Sequence, residues 1–220
     1  LGADASALRA SAPLKGALDG MTLFSEAFEA NGYHVLKAVA SDAEIRDIEA
    51  HVAKLELDGA GTRNLLAETW CRRMADKLRQ IPEIASVLPP GAVAVQCTYF
   101  EKSKSKNWLV AVHRDLSVPV KARIESPEWT AWSEKEGVLF ARPPKLVLQS
   151  VVAVRVHLEE NGEANSPLLV VPGSHVAVES SNRRDICLVP SGGALLMRPL
   201  LLHASSKLVA GRRRVLHFVF

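Results

Sequence analysis

The sequence predicts a mainly β fold with N-terminal helices, its core a double-stranded β-helix: the jelly-roll or cupin-like barrel of two antiparallel sheets. Two observations carry this expectation. From Ala92 onward the chain is a series of short apolar runs punctuated by Gly, Pro, Ser and charged residues, the pattern of strands joined by turns. Before Ala92 the apolar residues recur at helical spacing between capping and breaking signals. With 220 residues, 48% of them hydrophobic, the chain suits one domain with a sizeable core. We therefore expect a single domain over residues 1–220, with residues 1–91 as helical support and residues 92–220 as the jelly-roll core.

The first twenty residues are Ala-rich with scattered charges and are expected to form a loosely ordered lead-in. Met21 to Ala30 is a short amphipathic helix stopped by Asn31-Gly32, after which Tyr33 to Val39 alternates like a strand. Ser41 and Glu44 form a capping box, in which each side chain satisfies the other residue's backbone N–H. The helix it opens carries Ile45, Ile48, Val52 and Leu55 on one face and is broken by Gly59 and Gly61. A further helix is expected over Leu66 to Gln80, stopped by Pro82, with a short turn before Pro89-Pro90-Gly91. The predicted strands run Ala92 to Glu101, Trp108 to His113, Leu146 to Leu158, Pro167 to Val171, Ile186 to Val189, Ala194 to Arg198, Leu200 to His203 and Arg213 to Phe220. The N-terminal helices then pack on one sheet's outer face. Two segments read as loops covering a site: Lys102 to Asn107, with three lysines, and the long Ser117 to Pro144, which holds Trp129 and Trp132. A solvated surface excursion is the alternative for each.

Composition excludes several classes of partner. The net charge of +3 is mild and the Lys and Arg residues are spread along the chain, so electrostatics does not support nucleic-acid binding. No apolar run approaches the roughly 18 to 20 residues needed to span a bilayer, and the first twenty residues lack the apolar core of a signal peptide. Cys71, Cys97 and Cys187 are odd in number and widely spaced, which reads as buried reduced thiols in a cytoplasmic protein.

The chemistry lies in AVHRDLSV and LLLHASS. His113 and Asp115 stand at i and i+2, so at a strand's end both side chains project to one face and grip one ion, while Arg114 points away. Alone such a pair is a weak signal, because short motifs recur by accident. His203 supplies a third ligand from a distant strand that an antiparallel barrel brings alongside. Two imidazoles and one carboxylate, with open positions opposite, are the ligand set of mononuclear non-haem Fe(II). Activating oxygen there takes a two-electron donor. 2-Oxoglutarate chelates the metal through its keto-acid end, and its far carboxylate needs a cation inside the barrel. Arg213, opening the hydrophobic terminal strand, suits that role.

At these residues the chain resembles a known family. HRD, VPGSH at Val171 to His175, GGALLMRPLLLHASS and RRVLHFVF are similar to the phytanoyl-CoA dioxygenase family of Fe(II)/2-oxoglutarate-dependent oxygenases, from about Val93 to the end. The resemblance implies iron ligands at His113, Asp115 and His203, a 2-oxoglutarate salt bridge at Arg213, and a small-molecule substrate oxidised with O2. Related halogenases replace the carboxylate by a small residue, so Asp115 favours hydroxylation over halogenation.

Other residues are candidates with an ordinary alternative. Gln96 and Thr98 share a face of the strand before the ligand strand, where they either hydrogen-bond 2-oxoglutarate or face solvent. Trp108 either walls the cosubstrate site or packs. Arg63 reaches an acidic substrate group or pairs at the surface, Arg198 buttresses the site or makes a structural salt bridge, and His175 orients a loop or packs. The terminal arginines pose a register question, because Arg213 sides with Val215, His217 and Val219, and Arg214 with Leu216, Phe218 and Phe220. Both faces are largely apolar. Within the family the 2-oxoglutarate arginine stands at the interval from a last-strand aromatic that separates Arg213 from Phe220, whereas the usual interval from the distal His selects Arg214. Strand register is the firmer guide, since loops change length readily, and it selects Arg213. The alternative function is a metal-binding cupin-like protein without 2-oxoglutarate chemistry, in which Arg213 faces solvent or a structural partner.

Overall fold

The computed structural model describes residues 12–55, 61–176 and 183–220. Two antiparallel sheets build the core. The larger has six strands in the order β1 (Tyr33–Leu36), β11 (Ala194–Met197), β8 (Ala153–His157), β13 (Arg213–Val219), β3 (Gln96–Lys102), β2 (Gly61–Thr62). The smaller has four, in the order β10 (Asp185–Cys187), β9 (Leu168–Val170), β12 (His203–Ser205), β4 (Val110–His113). This is the antiparallel, cupin-like arrangement that the apolar runs predict. Both edges of the large sheet, β1 and β2, come from the N-terminal region, which therefore contributes strands as well as helices.

Helices cover the outer face of the large sheet. The capping box forms as expected: Ser41 Oγ accepts from Glu44 N, and the Glu44 carboxylate accepts from Ser41 N at 2.8 Å. It starts α2 (Asp42–Val52), whose Ile45, Ile48 and Val52 are buried. With Cys71, Met74 and Leu78 of α3 (Thr69–Leu78) they pack on Val154, Val156, Leu216 and Phe218 of the sheet. Pro82, which stops that helix, also opens α4 (Pro82–Ala85), where its missing N–H has no intrahelical role.

Five expectations need correction or qualification, the first being the strand over Leu200 to His203, which instead begins at His203 and runs to Ser205 as β12. The first helix is longer than predicted: α1 spans Ala12–Asn31, so part of the expected lead-in is helical, while residues 1–11 and Gly59 lie outside the described residues. The run Leu146 to Leu158 is not one strand but α5 (Lys145–Ser150) followed by β8. A continuous apolar run does not distinguish a buried helix from a buried strand by periodicity. Lys102 does not belong to an exposed lysine loop. It ends β3 facing inward, where its Nζ donates to Ser205 Oγ (2.9 Å), Ser206 O (2.8 Å) and Ser166 Oγ (3.1 Å).

The long segment Ser117 to Pro144 is no irregular loop either. It folds into a third antiparallel sheet of β5 (Val118–Val120), β7 (Val138–Arg142) and β6 (Thr130–Lys135). Glu136 (φ 52°) and Gly137 (φ 73°) connect β6 to β7 in the left-handed region, as a two-residue hairpin turn requires. Glu136 also fastens this hairpin to the β2 segment. Its carboxylate accepts from Thr62 Oγ1 (2.8 Å), Arg63 N (2.7 Å) and Arg63 Nη1 (2.7 Å), and its carbonyl from Asn64 Nδ2 (2.7 Å). Partial desolvation works against the charge on Glu136, yet these donors hold its carboxyl below the usual range. Glu136→Ala should therefore raise amide hydrogen exchange across residues 130–142 by about tenfold or more, the effect of losing roughly 1.4 kcal/mol of local stability. Unchanged exchange would show that the apolar contacts of Phe140 hold the hairpin without it.

Candidate metal centre

Three donors meet at the inner face of the small sheet. His113 is the last residue of β4 and His203 the first of β12, and the two are direct cross-strand partners. The register of this pair slips between His203 and Ser205, a bulge of the kind that re-aims a side chain. Asp115 follows β4, its N–H donating to Pro199 O at 2.9 Å. Arg114 turns the other way, donating to Leu200 O (2.8 Å) and Ser174 O (2.9 Å), as the i, i+2 argument requires.

The tautomers are set by the backbone. His113 Nδ1 donates to Ala111 O at 2.9 Å and His203 Nδ1 to Leu201 O at 2.8 Å, because a carbonyl can only accept. Each Nε2 is thereby left with a free lone pair, and both aim at Asp115: His113 Nε2 is 3.5 Å from Oδ1, and His203 Nε2 is 3.7 Å from Oδ2. The ligand atoms of the trio lie within 4.8 Å of one another. Ligands about 2.1 Å from one ion at right angles stand roughly 3 Å apart, so the trio fits a single ion with little adjustment. Desolvation works against the charge on Asp115, but the facing imidazoles of His113, His203 and His217 hold its carboxyl well below the usual range. It is an anion ready for a cation.

The trio opens into a cavity of about 300 Å³ between the two large sheets, walled on one side by Val118 and Phe140 of the small third sheet. Gln96, Thr98 and Trp108 all line it. Gln96 and Thr98 therefore sit on the inner face of β3, with Gln96 Nε2 donating to Thr98 Oγ1 at 2.7 Å. Arg213 lines the same cavity, is 5% exposed, and donates through Nη1 to Ser166 O. It has no carboxylate partner among the described residues. Arg214 faces the opposite side, where Glu159 and Glu49 hold it.

The remaining candidates have structural duties. Arg63 reaches the cavity rim but pairs with Glu136. Arg198 binds Glu29 and the carbonyl of Val151. His175 donates through Nε2 to Glu29 O and packs against Gly32 (φ 78°), where a Cβ would come within 2.4 Å of its ring. Several cavity residues escaped the sequence reading, His217 and Arg155 among them. Arg155 of β8 is 9% exposed and lines the cavity beside His217. The signal was present: Arg155 and His157 alternate with Val154 and Val156, a polar stripe on one face of an apolar strand.

Comparison with known proteins gives the family and the fold. The model of the family described as Phytanoyl-CoA dioxygenase matches residues 28–215. Among solved structures, HygX from Streptomyces hygroscopicus, crystallised with nickel and 2-oxoglutarate bound, superposes with a TM-score of 0.62 at 17% identity, covering 87% of this chain and 83% of its own. SnoN, a non-haem α-ketoglutarate-dependent epimerase from nogalamycin biosynthesis, gives 0.67 at 14% identity, covering 92% and 82%. AviO1 from Streptomyces viridochromogenes Tue57 gives 0.58 at 17% identity, covering 90% and 93%. At these identities the likeness to the solved structures is one of fold. No curated protein sequence matches the chain.

Proposed function

The chain belongs to the phytanoyl-CoA dioxygenase family, and from that premise we propose which of its residues carry the chemistry of a non-haem iron, 2-oxoglutarate-dependent oxygenase acting on a small molecule. His113, Asp115 and His203 hold Fe(II), and Arg213 holds the far carboxylate of 2-oxoglutarate. When bound, iron with 2-oxoglutarate and O2 supplies the oxidising chemistry, releasing succinate and CO2 as a substrate C–H bond is hydroxylated.

The protein's part is binding, orientation and exclusion of water. The carbonyls of Ala111 and Leu201 keep both neutral imidazoles in the coordinating tautomer, so no tautomer change is needed when the metal enters. Arg213 remains charged and lacks an anion, which a carboxylate inside the cavity supplies. Gln96, Thr98 and Trp108 line the same cavity, which supports reading the first two as hydrogen-bonding partners and the third as a wall of the cosubstrate. Trp108 is itself held under the Lys102 ammonium at 5.1 Å. Burial, with Arg213 and Arg155 close by, lowers Lys102 to about 8, and its donors are all taken by Ser166, Ser205 and Ser206, so it braces the cavity wall. No helix among the described residues is long and apolar enough to cross a membrane. The buried free thiols of Cys71, Cys97 and Cys187 fit a reducing, cytoplasmic setting.

The observation that carries this reading is the buried, acid-free Arg213 in the cavity that also holds the three donors. A metal-binding cupin-like protein without 2-oxoglutarate chemistry has no need of it. Adding Fe(II) anaerobically with 2-oxoglutarate should produce the weak visible charge-transfer band of a keto-acid chelate, absent with either component alone. Metal binding without that band would favour the cupin-like alternative.

A further inference from the structure

The buried part of the cavity holds one more positive charge than the iron site and its cosubstrate account for. Asp115 is the one acidic residue lining it, against the buried cations Arg155 and Arg213, while Arg63, paired with Glu136, and the exposed Lys135 also line it. In the proposed complex the two charges of Fe(II) are matched by Asp115 and one carboxylate of 2-oxoglutarate, and Arg213 by the other carboxylate. Arg155 is left over. An arginine cannot shed its proton, so this is a charge buried to nine-tenths without a counter-ion.

Its surroundings are built but incomplete. Arg155 Nη1 donates to His217 Nδ1 at 3.3 Å, and burial beside that guanidinium pushes His217 down to about 3, so the imidazole is a neutral acceptor. Nε makes no hydrogen bond within the described residues. The guanidinium lies 5.8 Å from the Phe100 ring centroid, on the inner face. Cross-strand register places Arg155, His217 and Thr98 in one row across β8, β13 and β3. Arg213 stands on the same face of β13, about 13 Å further along at roughly 3.3 Å per residue. The two arginines thus begin from separate rows, and Arg155 and His217 line the same cavity as the three donors.

Resting on the function proposed above, we propose that Arg155 is a substrate-binding residue and that the substrate is a small molecule bearing a carboxylate, which docks on this guanidinium. The anion completes the charge balance of the loaded cavity by pairing with the part of the guanidinium that lines it. A neutral analogue would leave the arginine desolvated and unpaired, which gives selectivity for the acid.

The test uses the full chain carrying Ni(II) in place of Fe(II) and saturated with 2-oxoglutarate, so that no turnover occurs. Acetate, propionate, butyrate and benzoate are titrated calorimetrically beside the four matching amides. We expect at least one acid to bind about tenfold or more tightly than its amide, the advantage of a charge-assisted pair. That preference should vanish in both Arg155→Gln and Arg155→Met and persist in Arg155→Lys. Should the uncharged variants fail to fold, the wild-type comparison still decides. Acids and amides binding alike, or none binding, overturns the proposal, and so does a preference that survives in a folded Arg155→Gln. A loss of 2-oxoglutarate affinity in Arg155→Gln as large as in Arg213→Ala assigns Arg155 to the cosubstrate and overturns it too. Wild-type protein that fails to bind 2-oxoglutarate with metal removes the proposed function itself, whereas binding without acid preference removes this inference alone.

Discussion

His203→Ala is expected to abolish stoichiometric Fe(II) binding, and His113→Ala to do the same. Each imidazole is held by a single backbone carbonyl and aims its Nε2 at Asp115, and among the described residues the group that could hold an ion consists of these two and Asp115. Losing an outer-shell partner of a metal site typically costs about 10- to 100-fold in affinity, and losing a ligand itself should exceed that. Both side chains line a cavity instead of filling the core, so the variants should still fold. Anaerobic calorimetry measures the effect directly. Undiminished iron affinity in both variants would remove the metal assignment, while a loss confined to one would show that the ion sits nearer that histidine than the cross-strand pairing implies.

Much of this site was legible because its rules are local. The i, i+2 spacing of His113 and Asp115 is a property of any strand, and the alternation of β13 divides Arg213 from Arg214 without knowledge of neighbours. The capping box at Ser41 and Glu44 is local in the same sense. What escaped depends on distant contacts. Thr130 to Lys135 is almost wholly exposed, so β6 has no apolar alternation to announce it, and only the turn at Glu136-Gly137 marks the hairpin. Lys102 reads as surface until Ser166 and Ser205 arrive from other strands to satisfy its ammonium. Arg155 is harder still: nothing in the described residues neutralises it, and charge at a strand centre ordinarily argues for an outward face.

Arg213→Ala should raise the dissociation constant for 2-oxoglutarate by at least about tenfold, or about 1.4 kcal/mol, while Arg214→Ala changes it little. Two sequence intervals disagree on which arginine is meant, and the two side chains lie on opposite faces of β13. Arg213 projects into the cavity with Ser166 O as its hydrogen-bond acceptor, and burial with Arg155 close by lowers it to about 9, so a carboxylate arriving there relieves both desolvation and repulsion. Arg214 projects from the other face. Its Nε donates to Glu159 at 2.5 Å, its Nη2 reaches Glu49 of α2, and both acids stay with it whatever the cavity holds. Removing Arg214 should instead lower thermal stability by about 1 to 3 kcal/mol, since it fastens α2 to the sheet through pairs that are only partly exposed. A cosubstrate titration and a melting curve on each variant give opposite rankings if the faces are as described. Arg214→Ala losing 2-oxoglutarate while Arg213→Ala keeps it would mean that the terminal strand sits one residue out of this register, with every side chain of β13 on the other face.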